Sequence, residues 1–448
     1  MPGYDPPPAA PPPAADPSEP PPPAPAPRHR RSLFGFVSAY TVNFLGDRFG
    51  ELALPLVVLA ATGDPAATGL VAASIHVPGL LLALWLGAGV DRHPRRQLMI
   101  GANLVRAACL GAFAWLAATS VTGIWAYLLV GLALGSGNVL FGLAGFALLP
   151  QLVPGSRPLV RANAMLEAGD AAITILGPPA AGAVIARLSA VFALVLNGVS
   201  YLVSALLLLV VRVPPSAAPQ LSEAPAPPAG RGAGRGAGRL RRLPETWRPY
   251  LAVLRDPTQR TVQVGFVALS AHGASVVLAI IVLAEQELSL SAFQLGLVLG
   301  AAGVGGLVAS AVASRHPGPF RTFAGLAAML GFSAGFLVVL AIAPQFWWAL
   351  VANALVDGAV TGAFIAVATL RQQRTPGSIL GRVTAASALC NAGARVVAVA
   401  GTGVLLAGIG ARPTLMIGAV MLLLAAAYVT VNRAEGNEAA APTPAGGH

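Results

Sequence analysis

Three charged residues lie close together inside the first long apolar stretch of the chain: Asp47, Arg48 and Glu51. Asp47 and Glu51 are four positions apart, so in a helix they share one face, and their mutual repulsion favours a proton on one of them. Such a pair suits a proton carrier or a contact with substrate. Arg48 points about 100° away and offers the alternative of a structural ion pair. A third alternative places all three near the outer lipid headgroups.

Four further ionisable residues interrupt apolar stretches: Asp170, Asp357, Arg106 and Arg395. A charge at such depth costs at least about 2.5–3.5 kcal/mol, so each must face a cavity or a partner. We predict that the acids Asp47, Glu51, Asp357 and Asp170 carry protons or contact substrate. The bases Arg48, Arg106 and Arg395 are predicted to form intramembrane ion pairs. The two cysteines, Cys109 and Cys390, have no metal-ligand spacing, so we expect neither a metal site nor a cofactor.

The composition indicates which solvent surrounds these residues. Hydrophobic residues make up 56% and charged residues 10% of the chain, and the mean hydropathy is +0.72. Soluble proteins carry about 25% charged residues, so the lipid bilayer must be the main solvent. The apolar stretches predict an all-α polytopic membrane protein with twelve transmembrane helices, at roughly 33–60, 69–90, 97–119, 123–150, 165–187, 189–211, 262–284, 292–313, 321–343, 346–370, 383–408 and 413–432.

Two short motifs recur about half a chain apart. Asp91-Arg-His-Pro94 returns as Ser314-Arg-His-Pro317, and Pro154-Gly-Ser156 returns as Pro376-Gly-Ser378. Nearly equal offsets predict a duplicated unit, and hence two pseudo-symmetric six-helix bundles. The expected organisation is a disordered Pro/Ala-rich tail, a first bundle, a cytoplasmic Pro/Gly/Arg-rich linker, a second bundle and a disordered C-terminal tail, at residues 1–32, 33–211, 212–260, 261–432 and 433–448.

The basic residues predict the orientation. All 28 are arginines, and 23 of them fall in the tails, the linker and the loops on one side, against only Arg187 and Arg412 on the other. The positive-inside rule then places both termini in the cytoplasm, with the chain crossing the plasma (inner) membrane many times. This distribution explains the net charge of +11 without a nucleic-acid partner.

The loop between the second and third predicted helices resembles the signature loop of the major facilitator superfamily. This loop extends from Gly87 to Arg96, and its motif residues are Gly87, Asp91, Arg92, Arg95 and Arg96. The resemblance implies that Asp91 lies against the start of helix 11, near Gly381 and Arg382, and latches the two halves together. It also implies that helices 1, 4, 7 and 10 line the cavity, so Asp357 ranks with Asp47 and Glu51.

Other stretches are similar to the drug-efflux group that includes macrolide exporters and the enterobactin exporter: Leu45-Gly-Asp47, Leu148-Leu-Pro150, Ala162-Asn-Ala164 and Gly381-Arg-Val383. Helix 5 carries Gly177, Pro178 and Gly182 in a run that resembles the motif associated with antiporters. Glycine and proline there permit a bend and a close approach to a neighbour; a plain packing seam is the alternative.

These observations predict a secondary transporter: proton-coupled export of a hydrophobic or amphipathic small molecule (a drug, macrolide or siderophore) by alternating access. The expected partners are a small-molecule substrate, protons and membrane lipids, with a functional monomer. An importer or a differently coupled porter of the same fold is the first alternative, and a non-transporting scaffold or sensor the second. An enzyme is not indicated, because we expect no paired-histidine metal site, no Gly-x-Ser-x-Gly elbow and no Walker loop.

Overall fold

The computed structural model describes residues 27–81, 93–119, 123–153, 156–213, 256–375 and 377–432. The described residues form twelve α-helices: α1 (Pro27–Thr62), α2 (Pro65–Leu81), α3 (Arg95–Ala118), α4 (Ile124–Leu152), α5 (Ser156–Arg187), α6 (Ala190–Val210), α7 (Pro257–Val282), α8 (Ala292–Arg315), α9 (Phe323–Ala341), α10 (Phe346–Arg374), α11 (Gly377–Ile409) and α12 (Ala411–Val431). A π-helical segment, Leu283–Glu287, extends α7, and a 3₁₀ turn, Pro319–Arg321, precedes α9.

The helices have the length and composition of membrane spans. Ten of those described are long and apolar enough to cross a bilayer. The described part of α2 is a shorter apolar helix of 17 residues, and α1 carries the charged cluster at Asp47, Arg48 and Glu51. The predicted all-α polytopic fold is confirmed.

Several helices begin where the sequence supplies a cap. The side chain of Ser189 accepts a hydrogen bond from the backbone of Phe192 at the start of α6. Asp256 caps α7 in the same way, with Pro257 in the first turn. Ser291 and Gln294 form a reciprocal capping box at α8. These caps satisfy backbone N–H groups that have no partner inside the helix.

The helix contacts repeat between the halves. In the first half α1 packs on α6, α3 on α4 and on α6, and α2 on α4. In the second half α7 packs on α12, α9 on α10 and on α12, and α8 on α10. Each of these four contacts thus recurs six helices later, which gives two pseudo-symmetric six-helix bundles.

The halves meet mainly through two helix pairs, α2 with α11 and α5 with α8, and α1 makes a smaller contact with α7. A Cβ on Gly69 of α2 would lie 2.5 Å from the Cα of Gly403 of α11. A Cβ on Gly182 of α5 would meet the backbone of Ala292 of α8. All four residues lie near the end of the molecule that carries Arg187 and Arg412, here called the Arg412 end. Glycine permits this backbone contact between the halves.

Most helices extend past their predicted limits, and three cases are informative. Helix α5 begins at Ser156 and not at residue 165, and α1 begins at Pro27. Helix α10 continues through Arg371 to Arg374, so Arg371 is a buried helix residue and not a loop charge. Hydropathy detects only the apolar part of a helix, whereas the hydrogen-bonded backbone continues into more polar sequence. Most of the predicted tails and linker lies outside the described residues.

The start of the first half and its end are joined. The Oγ of Ser32 in α1 donates to the carbonyl of Arg212 just after α6, at 3.2 Å, and accepts from the N–H of Arg212 at 3.0 Å. Gly35, one turn further along α1, lies against Val211. The first and last helices of this half therefore close against each other.

Candidate functional site

A buried ionic cluster lies inside the first half, between α1, α3 and α6. Its centre is Arg106 of α3, whose side chain is 3% exposed. The Nη2 of Arg106 donates to the Oδ1 of Asp47 at 2.8 Å, and the hydroxyl of Tyr201 donates to the same oxygen at 2.6 Å. The guanidinium also lies over the Tyr201 ring, 3.8 Å from its centroid. Asp47 thus has a charged partner and a second donor.

Neutral side chains complete this cluster. The Nη1 of Arg106 donates to the Oδ1 atoms of Asn43 and Asn103, at 2.9 and 3.2 Å. The amide of Asn103 donates to Ser204, whose hydroxyl donates to a backbone carbonyl of α1. Gly137 of α4 makes room, because a Cβ there would lie 2.7 Å from the Cγ of Arg106. A buried charge with this many bonds is positioned firmly.

A second arginine, Arg48, lies on the side of α1 that faces α5. Its Nη1 is 2.7 Å from Glu51 and its Nη2 is 3.5 Å from Asp170 of α5. Gly177 of α5 permits this approach, since a Cβ there would lie 2.8 Å from the Cβ and Cγ of Arg48. The predicted acid pair of α1 is therefore divided: Asp47 bonds Arg106, whereas Glu51 bonds Arg48.

Glu51 also faces the second half. It is 53% exposed, and it lies within electrostatic range of Arg395 of α11. Arg395 is exposed and likewise within range of His76 of α2. Among the described residues Arg395 forms no ion pair within 4.0 Å, so the predicted pairing of this arginine is not formed in this conformation. Glu51 and Arg395 are opposite charges on the two halves.

Asp357 stands apart from the other acids. It lies in the middle of α10, half-buried, with its side chain in hydrogen-bonding contact with Thr361 one turn further on. A Cβ on Gly306 of α8 would lie 3.2 Å from the Oδ2 of Asp357. In the described part of the chain no arginine pairs with it. An acid without a cation beside it exchanges its proton more readily than one in an ion pair.

The second half has a buried arginine that the sequence interpretation missed. Arg371 of α10 is 8% exposed, and its Nη2 donates to the Oε1 of Gln263 of α7 at 3.2 Å. Ser387 of α11 donates to the same oxygen, and the guanidinium lies 4.8 Å from the centroid of the Phe266 ring. No carboxylate pairs with Arg371 among the described residues. The signal in the sequence was Gln263, a polar residue in an apolar stretch.

The predicted latch falls partly outside the described residues. Gly87, Asp91 and Arg92 lie there, and the side chain of Arg382 is likewise not described; Gly381 and Arg382 belong to α11. Arg96 donates to the carbonyls of Leu208 and Leu209 at the end of α6, at 2.8 and 2.7 Å. Arg95 donates to the carbonyl of Ala147 at 3.3 Å. Both arginines bind backbone carbonyls near the ends of helices α4 and α6.

The glycines and proline of α5 lie at the contact between the halves. The carbonyl of Pro178 lies against Gly296 of α8, and Gly182 lies against Ala292. The antiporter-like motif and the plain packing seam both agree with this close approach, because small residues let two helix backbones touch.

One sequence pattern that would suggest other chemistry lies inside a helix. Gly331-Phe-Ser-Ala-Gly335 has the spacing of a hydrolase nucleophile motif, but it lies inside α9 and Ser333 is fully buried. That motif needs a strand-to-helix turn to expose its serine. Among the described residues no group of three His, Cys, Asp or Glu side chains is placed to hold a metal ion.

The two-bundle fold and the paired charges agree with a sequence comparison. The family described as the Major Facilitator Superfamily matches residues 36–399. The chain belongs to this superfamily. No curated protein matches the sequence.

Solved structures share the fold. A bacterial homologue of the iron transporter ferroportin, in an inward-facing state, is 19% identical with a TM-score of 0.68, covering 91% of this chain and 98% of that one. A bacterial homologue of the human lysosomal transporter Spinster, inward-facing and occupied, is 12% identical with a TM-score of 0.72, covering 94% and 100%. The human organic anion transporter MFSD10 is 16% identical with a TM-score of 0.57, covering 90% and 100%. The protein is a membrane transporter of this superfamily, with a small-molecule substrate, and not an enzyme.

Proposed function

We propose that this transporter exports a hydrophobic or amphipathic small molecule in exchange for protons, and that Asp357 is the acid that couples the two. The observation that carries the proposal is the isolation of Asp357 in the middle of α10. Asp47, Glu51 and Asp170 each have an arginine within 4.0 Å, so giving any of them a proton disrupts an ion pair. Asp357 gains or loses a proton without that cost.

The proposed cycle uses the contact at the Arg412 end. With the predicted orientation this end faces outward, so these contacts close the outer side. Alternating access requires the α2–α11 and α5–α8 contacts to separate while contacts form at the opposite end. The attraction between Glu51 and Arg395 across the halves contributes to this equilibrium, and a bound substrate or proton changes it.

Similarity to macrolide and enterobactin exporters supports an amphipathic substrate. A second candidate is an organic anion, as carried by the human relative MFSD10. The specific observation in its favour is that Arg371 is buried without a carboxylate partner in the described residues, while Arg395 is exposed. A substrate carboxylate is a suitable partner for a guanidinium.

The test is transport by the purified chain in liposomes, with a panel of macrolides, cationic dyes, siderophores and aromatic carboxylates. Asp357→Asn should lose at least about 90% of proton-driven accumulation while retaining substrate exchange at equal pH on both sides, because only coupling is removed. Asp64→Asn makes the same chemical change in the exposed turn before α2 and is the control. Full proton-driven accumulation by Asp357→Asn would remove Asp357 from the mechanism.

A further inference from the structure

A cavity of about 190 Å³ lies in the second half between α7, α11 and α12. Its walls are mostly apolar and include Val276, Leu337, Leu415 and Met421. An apolar cavity of about 150 Å³ is large enough to bind benzene, so this one accommodates a molecule of about one aromatic ring.

The cavity is separate from the charged contact between the halves. Val397 and Gly401 border it on α11, and Val397 is 72% exposed. Because a helix turns about 100° per residue, Val397 points about 200° away from Arg395, which faces Glu51 of the first half. Ile417 of α12 borders the same opening and is 45% exposed. The cavity therefore opens on the outer surface of the bundle, where lipid chains surround a membrane protein.

The most deeply buried polar residue of the wall needs a partner. His272 of α7 is 4% exposed and lines the cavity, and neither ring nitrogen has a hydrogen-bond partner among the described residues. His272 lies halfway along the span Pro257–Glu287, at a depth where lipid offers only hydrocarbon. A buried polar group without a partner is costly, so a ligand with one polar atom gains a hydrogen bond here that an acyl chain does not supply.

At the corresponding position the first half packs α1 closely against α6. The repeat offset of 223 residues aligns His272 with Phe49, which is flanked in sequence by Gly46 and Gly50. Those glycines let Ser200 and Asn197 of α6 pack directly against α1. The α7–α12 pair has instead left a cavity beside its histidine.

We propose that this cavity is a membrane-accessible binding site for a small, uncharged, lipophilic molecule with one hydrogen-bonding group, which pairs with His272. The site is independent of the coupling acid and of the direction of transport. Its ligand partitions into the bilayer and enters between α11 and α12.

The probes are 4-bromophenol and bromobenzene, which have nearly the same shape and differ by one hydroxyl. Binding to the purified full chain is measured as the rise in melting temperature with probe concentration, in detergent and again in lipid nanodiscs. We expect 4-bromophenol to bind up to about tenfold more tightly than bromobenzene, the value of one net hydrogen bond. His272→Leu should reduce that ratio to about one.

Blocking variants test the location. Gly401→Leu fills the cavity without a clash, because a Cβ at Gly401 meets nothing within 4 Å, and it should abolish the probe-induced rise. Gly111→Leu of α3 is the matched control, since its Cβ also meets open space. Ile417→Trp blocks the cavity from the α12 side and replaces Gly401→Leu if that variant does not fold. An unchanged rise in the blocked variants, equal binding of both probes by the wild type, or loss of binding in lipid would each overturn the proposal.

Discussion

In the described part of the transporter each half buries one arginine, and the two arginines have different partners. Arg106 of the first half bonds a carboxylate, Asp47, at 2.8 Å and two asparagines, and it lies over the ring of Tyr201. Arg371 of the second half bonds only the neutral Gln263 among the described residues. The acid of its own helix, Asp357, lies fourteen positions earlier, about 21 Å along the axis. The duplicated unit thus keeps its charges together in one half and apart in the other.

The difference separates stability from chemistry. A buried ion pair resists any change that removes one member, because the remaining charge loses its compensation. Two separated charges leave each one available to a proton or to a substrate. We infer that the first half is the more rigid partner and that the second half carries the groups that change state during transport.

The largest expected effect comes from breaking the pair of the first half. Asp47→Asn leaves Arg106 buried without a counter-charge and should lower the free energy of unfolding by about 3 kcal/mol. Thermal unfolding in detergent measures it. The double variant Asp47→Asn with Arg106→Gln should recover part of the loss, because it removes the uncompensated charge.

The same change in the second half is the comparison. Asp357→Asn should leave the melting temperature unchanged or higher, because no arginine loses a partner. Equal destabilisation by Asp47→Asn and Asp357→Asn would contradict the distinction between the halves.

An intermediate effect is expected from making the second half resemble the first. Gln263→Glu gives Arg371 a carboxylate in place of an amide oxygen 3.2 Å away. The amide nitrogen of Asn391, buried without a partner in the described residues, can then also donate to it after an amide flip. We expect the free energy of unfolding to rise by about 1 kcal/mol, because charged hydrogen bonds are stronger and desolvation offsets part of the gain.

Transport by this variant distinguishes the two roles of Arg371. If Arg371 binds an anionic substrate, Gln263→Glu raises KM several-fold for aromatic carboxylates and leaves neutral substrates unaffected. Gln259→Glu, one turn earlier on α7, is the control, since Gln259 bonds Thr375 and not Arg371. An identical response of both variants would assign Arg371 to structure alone.

The last effect, of similar size, concerns Gly177 of α5. Gly177→Ala places a Cβ 2.8 Å from Arg48 and should cost about 1–2 kcal/mol, because Arg48 must move away from Asp170. Gly169→Ala in the same helix meets only an ordinary contact with Thr41 at 3.6 Å and should cost less. Unfolding of the two variants side by side measures the difference, and equal values would mean that Arg48 is free to adjust.

The sequence was sufficient for the fold because each bilayer-crossing helix leaves a long apolar stretch, and the repeated motifs revealed the duplication. It was not sufficient for helix ends, since Arg371 and the first turns of α5 lie beyond the apolar part. The ion-pair partners of the charged residues were harder still to predict. Asp47 and Glu51 share a face by spacing, yet Asp47 bonds residues 59 and 154 positions away. Periodicity describes one helix, whereas ion pairing depends on which helices become neighbours.

The bonds between Ser32 and Arg212 have a consequence for the chain outside the helices. The N-terminal tail enters the first half at Pro27, only about 8 Å along α1 from Ser32, and the central linker departs just past Arg212. The proline-rich tail and the arginine-rich linker are therefore anchored side by side, although 180 positions separate their anchors. A protein that binds one of these segments encounters the other at high effective concentration. A bivalent partner therefore gains avidity here without any new contact on the helices.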